Sequence, residues 1–341
     1  MAARKGGRPY VWGHSKGEEV RIALTALLAT ITTLSFAAVP LTKGVTVKFL
    51  DAEAGGEFLA QPDDFTRSLS PFDRSVRLKV AREVTQKEFL AYVSKHGLDW
   101  TDKEEQWMTQ RVKEVRMLLN GYRLPLPKTI LLIKTTGKED AGAAYTRRNA
   151  IVFSARRLKR NGAAMRKLFL HELFHVLSRN APKLATKMYQ IIGYEPSPEL
   201  IFPEELAPRK LTNPDAPFSR HAIKFEHEGD AVKAIPILYS RVTKYDEKKG
   251  GTLFQYLVFR LLVLNEDNPA GAARDAEGKL ILIRPDDAKG FHEKIGRNTG
   301  YIIHPEETMA DNFVYLITAK KDLPNPEIVQ RLGALLRPDR D

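Results

Sequence analysis

The sequence predicts an α+β fold with a helical N-terminal part, a buried central helix, and an antiparallel strand insertion ahead of a final acidic helix. Three observations carry this. Apolar residues recur at helical spacing from Val76 to Tyr122. Beyond Pro125 and Pro127 the period shortens to compact apolar runs suited to strands. Between the two groups of runs lies His171-Glu172-Leu173-Phe174-His175, an HExxH inside a continuous apolar, helix-compatible stretch.

Taken in chain order, Arg4, Lys5, Arg8, Lys16 and Arg21 precede an uncharged run from Ile22 to Ala38. With Ser35-Phe36-Ala37 at its end, this pattern fits a bacterial-type signal peptide over residues 1–37, cleaved after Ala37. The alternatives are an uncleaved membrane anchor over residues 22–42 or a buried helix. The threonines and alanines of the run make it a poor span. Export would place the protein in the periplasm or outside the cell. Residues 38–75, with Gly55-Gly56, Pro62-Asp63-Asp64 and Ser70-Pro71, read as a loose lead-in to a domain over 76–341.

Thr101 and Glu104 have the spacing of a capping box, opening a helix that runs to about Leu119. Lys128–Lys134 reads as a buried strand, and Ala143–Ser154 as a second strand or a hairpin turning near Arg148-Asn149. Asn161-Gly162 precedes the helix Ala163–Arg179. Prolines at 182, 196, 198, 203, 208, 214 and 217 make 181–230 loop-rich. Three strands follow, Ala231–Lys244, Thr252–Asn265 and Lys279–Arg284, with a break at Pro269-Ala270-Gly271. A short helix over Asp286–Ile295 comes next. Pro305 then opens a helix over Glu306–Ala319.

The chain has 341 residues, 43% of them hydrophobic and 28% charged, which suits a folded protein with a substantial core. A net charge of +12 favours acidic partners, but no long basic run with interleaved aromatics follows the N-terminus, so nucleic acid is not expected as a partner. There are no cysteines. Disulfides, thiolate-held zinc and a thiol nucleophile are excluded, and any metal site must use His, Asp and Glu.

Two histidines four apart on a helix are separated by about 400°, one turn apart on one face. They can hold one Zn²⁺, with Glu172 beside them to accept a proton from attacking water. The bland alternative is a helix with two packed histidines. The flanks Leu168, Phe169, Leu170, Leu173, Phe174, Val176 and Leu177 argue against it, because burial leaves three polar groups needing partners. The long metzincin motif would place glycine at 178 and histidine at 181. This chain has Ser178 and Ala181, which rules it out.

The third ligand is assigned to Glu307 in His304-Pro-Glu-Glu-Thr-Met-Ala-Asp311. Asp311, four residues on, shares its helix face and can orient a ligand histidine. Glu306 points about 100° away and is the weaker choice. Glu204, Glu205 and His221 are rivals without an acidic partner four residues on. HExxH followed by ExxxD on a later helix resembles the gluzincins, the thermolysin-like zinc metallopeptidases. The resemblance is at the level of motif, and the separation of His175 from Glu307 far exceeds the short connection in thermolysin.

The resemblance implies a zincin-like domain holding one Zn²⁺ through His171, His175 and Glu307, with Glu172 as general base and Asp311 behind His171. It also implies a peptide or protein substrate. Tyr301, His304 and His221 are candidates for the donor that steadies the developing oxyanion. The Ala143–Ser154 strand could offer an edge to an extended substrate. The competing functions are a zinc hydrolase of a non-peptide envelope amide, a non-catalytic binding protein on the same scaffold, and a basic nucleic-acid-binding protein.

Overall fold

The computed structural model describes residues 38–337. The expected signal peptide or anchor over 1–37 lies outside the described residues. The end of the same uncharged run is strand: β1 (Val39–Thr42) pairs antiparallel with β2 (Val45–Leu50), with Leu41 and Val47 fully buried. Among the described residues no helix is long and apolar enough to cross a membrane.

Residues 38–75 are not a loose lead-in. After β2 come α1 (Ala52–Ala60), α2 (Asp64–Ser68) and α3 (Pro71–Leu78), followed by α4 (Gln86–Ser94). The residues that suggested loop are helix starts and close contacts. Asp63 and Ser70 are N-caps, and Pro71 sits in the first turn of α3, where its missing N–H costs nothing. Gly55 and Gly56 let α1 lie against its neighbours. A Cβ on Gly56 would stand 2.4 Å from the Ser94 carbonyl oxygen on α4.

The short strand β3 (Gly97–Leu98) leads to α5 (Asp102–Leu118), where the capping box forms as expected. Thr101 N donates to Glu104 Oε2 at 2.9 Å, and Glu104 N donates to Thr101 Oγ1 at 3.3 Å. β4 (Thr129–Thr135), β5 (Tyr145–Arg147) and β6 (Ala150–Ser154) complete a six-stranded mixed sheet in the order β1-β2-β4-β6-β5, with β3 also paired to β4. β2, β4 and β6 run parallel, while β5 returns antiparallel as the edge. Alternation along β4 and β6 divides the core. Ile130, Leu132, Ile151 and Phe153 face α5 and the long α6 (Gly162–Asn180), while Ile133, Ala150 and Val152 face α1, α2 and α4. Helices on both faces explain why these strands read as uninterrupted apolar runs.

Within 181–230, expected to be loop-rich, the chain forms α7 (Pro182–Gln190), β7 (Tyr194–Pro196) and β8 (His221–His227). Pro182 again opens a helix rather than breaking one. β9 (Asp230–Ser240) follows the tight turn Glu228-Gly229, both with positive φ. The short α8 (Leu253–Tyr256) occupies the start of the second expected strand, leaving β10 (Leu257–Val263), and β11 is only Leu282–Ile283. The antiparallel meander is therefore present with five strands rather than three, ordered β11-β10-β9-β8-β7. After α9 (Phe291–Ile295), α10 (Pro305–Ile317) packs across α6, backed by α11 (Pro326–Leu336), a helix beyond those expected from the sequence. Mixed α+β is the resulting class.

Candidate metal centre

Asn161 accepts from Ala164 N and caps α6, so the helix phase is set ten residues before the motif. Leu170, Leu173, Phe174, Val176 and Leu177 then lock it into the core, and Phe174 meets Phe313 of α10 with ring centroids 5.6 Å apart. That crossing of α6 and α10 brings the two halves of the motif together. His171, His175 and Glu307 each present a ligand atom within 4.8 Å of the others, a group that could hold a metal ion. His171 Nε2 lies 3.0 Å from Glu307 Oε2, and His175 Nε2 lies 3.6 Å from the same oxygen.

The two imidazoles are each held from behind. His171 Nδ1 bonds Asp311 Oδ1 at 3.1 Å, and Thr299 Oγ1 donates to the other Asp311 oxygen. His175 Nδ1 bonds Glu306 Oε1 at 2.7 Å. Glu306 also accepts from Ser178 Oγ and from the Tyr189 hydroxyl. The 100° offset that weakened Glu306 as a ligand carries it to the outer nitrogen of His175. With Nδ1–H given to a carboxylate, Nε2 is the nitrogen left to face a metal once its proton is released. This Nε2 is buried and has no hydrogen-bond partner among the described residues. A buried polar atom without a partner is costly in a protein interior, and a cation that displaced its proton at the convergence of the three ligand atoms would satisfy it.

Charge is concentrated here. Burial disfavours the imidazolium of His171, but the bonds to Asp311 and Glu307 outweigh it and raise its pKa to about 10. His175 is likewise raised, burial being overcome by Asp215, Glu307 and Glu306. Burial would raise Glu307, yet the two histidines hold it well below the usual carboxylate range. Asn213 Nδ2 donates to the second oxygen of Glu307. Glu172 is raised by burial against the pull of His175 and His171. Its Oε2 accepts from Thr146 Oγ1 of β5 at 3.1 Å, so the edge strand orients it.

The remaining candidates separate cleanly. Tyr301 is 40% exposed and stacked on His171 with centroids 6.0 Å apart. Burial and the surrounding carboxylates Glu307, Asp215, Glu172 and Asp311 push its phenol up, so it keeps its proton and can donate. His304 is committed to backbone partners. It is the N-cap of α10: its Nδ1 accepts from Glu306 N at 3.1 Å, and its Nε2 donates to Phe218 O at 3.1 Å. Both ring nitrogens are spent on backbone, which fixes the start of the helix bearing Glu306 and Glu307. His221 begins β8, edge-on to Tyr189, with its pKa lowered to about 4 by burial, His304 and Arg220. Glu204 and Glu205 are exposed, and Glu205 pairs with Arg274.

A residue outside every sequence expectation also enters the site. Asp215, on the loop before β8, places a carboxylate oxygen within 4.8 Å of ligand atoms on Glu172 and His175. Burial, with Glu172 and Glu307 nearby, raises its pKa to about 8 despite His175. Asn213-Pro-Asp-Ala-Pro reads as turn residues alone, and nothing in its local pattern marks a site. Neither protein-family models, nor curated proteins, nor solved structures give a match to this chain.

Proposed function

We propose that the protein is a zinc-dependent metallopeptidase of the gluzincin type, with a zincin-like catalytic domain and export directed by its N-terminal segment. The observation that carries the reading is the unpartnered, buried Nε2 of His175, facing His171 Nε2 and Glu307 Oε2 beside the buried Glu172. His171, His175 and Glu307 would hold Zn²⁺. Two nitrogens and one carboxylate oxygen leave room for water, as a hydrolytic zinc requires. When bound, zinc supplies a Lewis acid that polarises the scissile carbonyl and eases deprotonation of water.

The chain's own groups do the rest. Asp311 and Glu306 keep the two imidazoles in register through their outer nitrogens. Glu172, with an elevated pKa and a carboxylate steered by Thr146, accepts a proton from attacking water and passes it to the leaving amine. Tyr301 holds its phenolic proton beside His171, where it can donate to the developing oxyanion. β5 is a sheet edge directly beside Glu172, suited to pairing with an extended peptide.

Bound zinc and cleavage of dye-labelled casein, measured on wild type and Glu172→Gln, test this reading. Both proteins should carry one zinc per chain, and the variant should lose activity by about 10²–10⁴-fold, the usual worth of a general base. A wild type without stoichiometric zinc overturns the reading. Full cleavage by Glu172→Gln removes Glu172 from its role.

A further inference from the structure

We propose that Asp215 stands in for substrate at the edge of β5: the chain's own Asn213–Pro217 segment fills the position where an extended peptide must pair, and it is displaced when substrate enters. The inference rests on the peptidase reading and adds a competitor within the chain.

The register of the β5–β6 hairpin sets the argument. Arg147 and Ala150 flank the two-residue turn Arg148-Asn149 and form a hydrogen-bonded pair. At the next pair, Thr146 opposite Ile151, the Thr146 N–H and C=O therefore point away from β6, toward the open edge. A substrate strand would offer a carbonyl to that N–H. Instead Thr146 N donates to Asp215 Oδ1 at 2.6 Å. The same residue's hydroxyl orients Glu172, so the occupied position is next to the proposed base. Asp215 lies within ligand reach of His175 and Glu172 on that side.

The segment is shaped and tethered for this place. Asp215 N donates to Asn213 Oδ1 at 3.0 Å, folding the backbone so that Asn213 reaches Glu307 while Asp215 reaches Thr146. Arg179 of α6 grips it from outside, its guanidinium donating to the carbonyls of Pro214 at 3.2 Å and Asp215 at 3.1 Å. Upstream, Thr212 N is fixed to Asp73 Oδ2 at 2.7 Å. Pro214 and Pro217 have no N–H to offer, so the segment cannot extend into a sixth strand-to-strand ladder on β5. It holds the edge through one carboxylate bond, which a peptide carbonyl can replace.

The test uses the full, zinc-loaded chain with a quenched peptide substrate and a short peptide hydroxamate. Asp215→Ala should lower KM and the hydroxamate inhibition constant by about tenfold, the worth of one hydrogen bond. Arg179→Gln, which loosens the same segment from outside the site, should shift both constants in the same direction. In unmodified protein, hydroxamate should raise amide hydrogen exchange across residues 213–219. Stoichiometric zinc with unchanged or higher KM in both variants overturns the proposal, as does hydroxamate binding that leaves exchange in 213–219 unaltered. Absence of zinc from wild type instead defeats the peptidase reading itself.

Discussion

Replacing Glu306 with alanine strikes a group that is not among the proposed zinc ligands and lies behind one of them, so the consequences can be worked from its bonds. Glu306 is buried and accepts from His175 Nδ1, Ser178 Oγ and the Tyr189 hydroxyl. Its loss strands the imidazole and the Tyr189 hydroxyl, while Ser178 Oγ keeps the His175 carbonyl at 3.2 Å. A buried donor left unpaired costs about 1–3 kcal/mol; taking the lower figure for the rotatable Tyr189 hydroxyl and the upper for the imidazole gives about 4 kcal/mol. That is a large share of the 5–15 kcal/mol by which a typical domain is stable. His175 would also lose the carboxylate that fixes its tautomer, and zinc affinity should fall by about 10–100-fold.

Urea unfolding of the metal-free protein reads the first quantity, and competition against a chromophoric chelator at fixed pH reads the second. Glu306→Gln separates them. Its remaining carbonyl oxygen can still accept from His175 and Ser178, and its amide can donate to the Tyr189 oxygen. Stability should then stay near wild type, while zinc affinity drops about tenfold because a neutral acceptor replaces a charged one. If Glu306→Ala keeps wild-type zinc affinity to within about twofold, His175 is not positioned through Glu306 and the reasoning fails.

Three further outcomes follow from the same structure. Zinc must displace the proton that Asp311 and Glu307 stabilise on His171, whose pKa is raised to about 10. Affinity should therefore climb as pH rises from 6 toward 10, about tenfold per unit for each proton released, in chelator titrations. The metal-free protein should do the reverse. A folded pKa of about 10 against about 6.5 unfolded gives stability that is complete below pH 6.5 and lost as pH rises through 10. Denaturation midpoints that rise over this window would contradict the assignment. Separately, Arg147 is 2% exposed, pairs with Asp63 at 2.6 Å, and donates to the carbonyls of Leu59 and Gln61. Arg147→Ala should cost about 3–5 kcal/mol by leaving Asp63 buried without its partner. A loss under about 1 kcal/mol in urea denaturation would show that the α1–α2 connection does not depend on it.

Local chemistry made much of this protein legible from the chain alone. Thr101 and Glu104, Asn161 before the motif helix, and Pro305 at the head of α10 are signals whose physics acts within one turn, and each marks the element it starts. The same locality explains His171, His175 and Glu172, and the shared face of Glu307 and Asp311. What local pattern could not decide was whether a turn residue breaks a chain or builds a contact. Gly55-Gly56 and Pro71 looked like loop and are the packing surface and first turn of helices, because the deciding neighbours, Ser94 and Ile133, are distant in sequence.

The site divides along the same line. Spacing within a helix sets which side chains share a face, so the candidate ligand group could be assembled from two helices read separately. Which carboxylate stands behind which imidazole depends on how α6 crosses α10, and that is fixed by core packing between residues far apart in the chain. Packing therefore sends Glu306 to His175 and closes His304 onto backbone. It also lays Asp215 against β5 and Glu172, from a proline-rich loop whose sequence speaks only of turns. Helical periodicity is a property of neighbouring residues and is written in the chain, whereas the meeting of buried charges is settled by the fold.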